Sequence, residues 1–151
     1  MKKQKDQLRR RLLPKSPTSI QGFDEITGGG LPKGRPTLVC GGAGCGKTLF
    51  AMEFLVRGAT QHNEPGVFMS FEETEKELAA NVSSLGFDLD DLVRRKKIWI
   101  EHLHLERAEN EQSGEYDLEG LFIRIHHAIE SIGAKRVVLD TLESLFSGLP
   151  N

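Results

Sequence analysis

The chain has 151 residues, enough for one ordinary domain with a real core and too few for two. Hydrophobic residues make up 38% and charged residues 28%, a globular composition that excludes a disordered or membrane-embedded chain. The net charge of −2 conceals an asymmetry: seven basic residues up to Lys15 face only Asp6, and the remainder carries thirteen basic against twenty-one acidic residues, which argues against a nucleic-acid-coating surface.

Met1 to Pro17 reads as a basic, flexible tail broken by Pro14 and Pro17, with residues 18–151 forming the folded part. Met1-Lys2-Lys3 leads into further charge, so no signal peptide is expected. No apolar run approaches the roughly 18 residues of a membrane span. Cys40 and Cys45 have neither CxxC nor zinc-finger spacing, and the reading is a reduced, cytoplasmic chain. Gly28-Gly29-Gly30 and Pro32-Lys33-Gly34 punctuate a loop into Thr37-Leu38-Val39-Cys40, the first expected strand. Leu49 to Gln61 is apolar on nearly every side, the pattern of a helix buried against a sheet. Val67 to Phe71 is the second expected strand. Thr74 and Glu77 then fit a capping box that opens a helix ending near Gly86. Ile98 to Leu103 is the third strand. Leu118, Leu121, Phe122, Ile125, Ile129 and Ile132 recur at helical spacing, with Trp99 and Phe122 expected in the core and Gly133 as the stop. Val137 to Asp140 is the fourth strand. Strands alternating with helices predict an α/β layered fold on a mostly parallel sheet.

The chemistry centres on Gly41-Gly42-Ala43-Gly44-Cys45-Gly46-Lys47-Thr48, a full match to the phosphate-binding loop pattern G-x-x-x-x-G-K-[ST]. Glycines let successive backbone N–H groups turn into one concavity at the positive end of the following helix. Gly42, Ala43, Gly44, Cys45, Gly46, Lys47, Thr48 and Leu49 form the expected nucleotide-binding stretch. Lys47 is expected to reach the β- and γ-phosphates, and the Thr48 hydroxyl to be a Mg²⁺ ligand. Asp140 ends an apolar strand later in the chain, where an acid orders the water around that Mg²⁺ or caps a helix. Glu72 and Glu73 follow the second strand at the end that faces ligands in α/β sheets. Either could activate a water, or both could simply favour the positive end of the next helix. His102, His104, His126 and His127 lack the partners of a metal site.

Three segments between Ile20 and Thr74 carry a resemblance: GFDEITGGGLP, GGAGCGKTLF and EPGVFMSFEET. Together they resemble the first ATPase domain of the KaiC family, a branch of the RecA-fold ATPases. The similarity continues through Phe87-Asp88-Leu89, Asp117-Leu118 and Arg136 to Asp140. It implies a three-layer, RecA-like P-loop NTPase that hydrolyses ATP with Mg²⁺ at the subunit interfaces of a hexameric ring, with room for protein partners. It also selects between the glutamates, making Glu72 the catalytic carboxylate and Glu73 its helper, with Lys47 on the phosphates. Cys45 departs from the hydroxyl residue usual in the circadian-clock member, and places a reactive thiol beside Lys47. In RecA-fold ATPases a further strand follows the Asp140 strand and lies between it and the P-loop strand. On this resemblance the chain is expected to be the N-terminal part of such a domain, with an incomplete sheet, and to be inactive as an isolated piece. A DNA-processing RecA-fold ATPase and a non-hydrolysing, nucleotide-binding regulatory module are the competing readings.

Overall fold

A computed structural model describes residues 13–103 and 118–143. In chain order the elements are β1 (Lys15–Ser16), α1 (Phe23–Thr27), β2 (Leu31–Pro32), α2 (Lys47–Gln61), β3 (Gly66–Ser70), α3 (Glu75–Ser83), α4 (Leu89–Arg94), β4 (Ile98–His102), α5 (Leu118–Ile132) and β5 (Arg136–Asp140).

A three-stranded parallel sheet runs in the order β4-β3-β5. Its central strand is buried at every position, because helices cover both faces. Alternation along β3 divides the core in two. Phe68 joins Met52 and Leu55 of α2, Leu78 and Val82 of α3, and Leu89 and Leu92 of α4. Val67, Met69 and Phe71 pack on the opposite side with Leu121 and Ala128 of α5. This is the three-layer α/β arrangement expected of a P-loop fold, with a parallel sheet.

The expected strand at Thr37 to Cys40 does not form. Its residues make no ladder, and Leu38 is 70% exposed and Val39 46%. Strand composition supplies a preference, but a strand needs a neighbour, and β5 pairs only with β3 among the described residues. The helix after the capping box stops at Ser83 rather than near Gly86, the intervening residues closing in turns. Phe122 is not a core residue: it is 65% exposed, as is Ile123 at 64%. The buried stripe of α5 runs through Leu121, Ile125, Ala128, Ile129 and Ile132, and Phe122 lies about 100° round the helix from Leu121. Trp99 packs against that stripe, with the His127 ring edge-on to it at 5.8 Å. His104 and Asp117 lie outside the described residues.

The end of the basic segment is tied down. Lys15 and Ser16 pair antiparallel with Pro32 and Leu31, and Lys15 Nζ donates to the carbonyls of Thr27 and Gly30. Next to them, the Asp24 carboxylate of α1 accepts from the Thr18 hydroxyl at 2.6 Å, the Thr18 N–H and the Ser19 N–H. Burial pushes the Asp24 pKa up, but these hydrogen bonds outweigh it and hold the group below its ordinary value. Phe23 of α1 meets Phe50 of α2 edge-to-face at 5.0 Å, so the lead-in segment rests on the first turn of the P-loop helix.

Candidate functional site

The loop into α2 turns sharply at Gly44 and Gly46, whose φ angles of 75° and 90° fall in the left-handed region open to glycine. Gly46 caps α2 with no side-chain hydrogen bond, which leaves the first-turn N–H groups of the helix facing the loop. That is the backbone arrangement that binds phosphate. Lys47 Nζ donates to the carbonyls of Gly41 at 2.7 Å and Gly42 at 3.1 Å, which holds the ammonium across the loop. Cys45 is a free, exposed thiol. Its Sγ lies so close over Gly41 that a Cβ there would stand only 2.4 Å away.

Parallel register brings the rest of the site to the same place. Ser70 of β3 is level with His102 of β4 and Asp140 of β5, so the carboxyl ends of all three strands form one edge. At that edge Thr48 Oγ1 donates to Asp140 Oδ2 at 2.7 Å, joining residues 92 positions apart. A hydroxyl and a carboxylate so placed form a hard-oxygen donor set that suits Mg²⁺.

Glu72 and Glu73 part company just beyond β3. Ser70, 2% exposed, pins their turn: its hydroxyl donates to the Glu73 carbonyl at 2.5 Å and accepts from the Glu73 N–H at 3.0 Å. Glu73 Oε2 then takes a hydrogen bond from Asn81 Nδ2 of α3 at 3.1 Å. Glu72 is exposed on the side of β5, where Thr141 Oγ1 donates to its Oε1 at 2.9 Å. The capping box forms as the sequence predicts, with Thr74 and Glu77 bonded both ways, so α3 has its own cap without either glutamate.

The structure thus brings Thr48, Asp140 and Glu72 to one strand edge, with Lys47 preceding Thr48 at the start of α2, and turns Glu73 aside onto α3. Leu49 is on the first turn of α2 and 37% exposed. Sequence reasoning missed Ser70, Asn81 and Thr141. Ser70 carried a signal, a lone hydroxyl ending an apolar strand; Asn81 carried none. No group of three or more metal-ligating His, Cys, Asp or Glu side chains occurs among the described residues.

A glycine-rich loop feeding a helix, with a threonine after the lysine and a strand-end aspartate against it, defines the P-loop nucleotide-binding class on an α/β sheet. The family model described as "ATPase: KaiC" matches residues 16–150, and the chain belongs to the KaiC ATPase family, whose domain has the RecA-like P-loop fold. "Circadian clock protein KaiC2" of Synechocystis is 65% identical over 139 residues, covering 92% of this chain and 24% of that protein. "Circadian clock oscillator protein KaiC" of Parathermosynechococcus lividus is 46% identical over 134 residues, covering 89% of the chain and 25% of the relative. The protein of the same name from Synechococcus elongatus is 44% identical over 134 residues, with 89% and 26% covered. The chain therefore spans about a quarter of the length of these relatives. No helix among the described residues is long and apolar enough to cross a membrane.

Proposed function

We propose that this domain binds ATP together with Mg²⁺ and, in the full-length protein, hydrolyses it with Glu72 activating the attacking water. The observation that carries the reading is the 2.7 Å bond between Thr48 and Asp140, which sets the P-loop helix against the carboxyl edge of the sheet with Glu72 beside them. The backbone N–H groups from Gly42 to Leu49 bind and orient the triphosphate, and Lys47 moves from the carbonyls of Gly41 and Gly42 to the phosphate oxygens. Thr48 and Asp140 would hold the Mg²⁺, which supplies charge neutralisation at the phosphates when bound. Glu72 accepts a hydrogen bond from the water and takes up its proton as the water attacks. Glu73, bonded to Asn81, steadies the turn that carries Glu72.

The loop at Gly41 to Cys45 is exposed, so among the described residues one side of the proposed phosphate site is uncovered. That exposure, with the family membership, supports completion of the site by a neighbouring subunit in a hexameric ring. The full-length protein should sediment as a hexamer with ATP and Mg²⁺, and a monomer under those conditions would contradict the ring.

Two variants test the chemistry. Lys47→Ala should abolish binding of a fluorescent ATP analogue. Glu72→Gln should retain binding while turnover falls about 100-fold or more, the contribution expected of a general base. Turnover unaffected by Glu72→Gln would remove Glu72 from the chemistry, and loop binding unaffected by Lys47→Ala would remove the P-loop.

A further inference from the structure

We propose that Thr141 is a positioning residue for Glu72, holding the carboxylate at the angle from which it reaches the attacking water. The inference rests on the reading of Glu72 as the water-activating group. Three observations carry it.

The first is direct contact: the Thr141 hydroxyl donates to Glu72 Oε1 at 2.9 Å across 69 residues of sequence. A carboxylate gripped by one oxygen loses rotation about its terminal bond, which fixes the direction of the other. The second is register. Ser70 is level with Asp140, and the Phe71 N–H donates to the Asp140 carbonyl at 2.8 Å, so the two strand ends advance together. Thr141 follows the very residue that binds Thr48, and the bond to Glu72 thereby ties the carboxylate to the P-loop side of the site. The third is contrast with the adjacent glutamate. Glu73 is turned onto Asn81 by the Ser70 hydroxyl, so the turn presents its two carboxylates to different partners, and Glu72 is the one bonded to the residue that follows β5.

Small losses of aim in a general base are expensive, since misplacement of about 1 Å can slow a reaction roughly 100-fold. Thr141→Val removes the hydroxyl while keeping the shape. In the full-length protein it should lower kcat for ATP roughly 10- to 100-fold and leave KM and nucleotide binding within about twofold. Thr141→Ser keeps the donor and should restore kcat. Thr141→Ala, with no branched side chain to accommodate, serves the same purpose should Thr141→Val fail to fold.

A second background separates positioning from a structural role. With Glu72→Gln in place, Thr141→Val should slow the residual rate no further. Thr141 also precedes a helical turn at Leu142 and Glu143, and loss of a helix cap there would slow turnover whatever residue stands at 72. Equal slowing in both backgrounds, or a Thr141→Val enzyme with unchanged kcat, would overturn the proposal while leaving Glu72 as the base. Full turnover by Glu72→Gln would overturn the underlying reading and the positioning role with it.

Discussion

Composition and spacing alone do not tell Glu72 from Glu73, and the two are quite different in space. One buried hydroxyl, Ser70, decides the difference by fixing the turn between them. Glu73→Gln keeps hydrogen-bonding capacity toward Asn81, so it should slow turnover far less than Glu72→Gln in a side-by-side steady-state assay. Equal losses would mean that the two act as a unit. Cys45 is the other informative residue at this scale. Its exposed thiol lies over Gly41 of the loop, and on the proposed phosphate site an added group there would compete with the nucleotide. Alkylation of Cys45, followed by mass spectrometry, should abolish nucleotide binding. ATP at ten times its Kd should slow the reaction about tenfold, in proportion to the fraction of free loop. Absence of protection would place the thiol outside the site.

At the scale of elements, the P-loop helix is held from both ends. At its N-terminal turn Phe50 meets Phe23. Toward its C-terminus the Arg136 guanidinium, 3% exposed, donates to Glu64, to the Phe54 carbonyl and to the Pro17 carbonyl, and stacks on the Phe54 ring. Gly58 makes room for it, since a Cβ there would lie 2.4 Å from Arg136 Nε. This clamp joins β5, α2 and the lead-in segment behind the site. Arg136→Met leaves two carbonyls and a carboxylate without their donor and should cost about 3 kcal/mol in urea unfolding. Gly58→Ala should cost about 1–3 kcal/mol through overpacking alone. An unchanged unfolding midpoint in either would show that the clamp is not structural. Asp24 gives the lead-in a pH dependence. Its pKa in the folded chain lies below the ordinary 3.8, so its stabilisation is complete above that value and fades as pH falls through the folded pKa. Below about pH 4 the wild type should lose stability more steeply than Asp24→Asn, which loses its stabilisation at every pH. Parallel acid titrations by circular dichroism would contradict this.

For the whole molecule, the decisive feature is a three-stranded sheet whose β5 edge has no second described partner. Leu38, Val39 and Val137 are exposed to water, at 70%, 46% and 40%. Apolar residues beside an open strand edge invite pairing with another chain. The 151-residue chain alone should therefore self-associate with rising concentration, and Val137→Lys should reduce that association in light scattering without altering nucleotide binding. Association unchanged by the substitution would locate the sticky surface elsewhere, with the exposed Phe122 and Ile123 of α5 as the next place to look.

Much of this was legible from the residues because it is local. Glycine spacing specifies the phosphate loop, Thr74 and Glu77 cap their helix within one turn, apolar periodicity marks α5, and short apolar runs mark α2 and the three paired strands. The lead-in, loop and FEET segments also suffice to show family resemblance, since each is a local run of residues. What only the tertiary structure decided depends on partners distant in sequence. The run Thr37 to Cys40 has strand chemistry but no neighbour to complete it, and Phe122 has core chemistry but the wrong angle on its helix. The bonds Thr48–Asp140, Thr141–Glu72 and Arg136–Glu64 span 92, 69 and 72 residues, distances over which composition and periodicity carry no information. Strand register sets those meetings, because a shift of one residue would turn each side chain to the opposite face of the sheet.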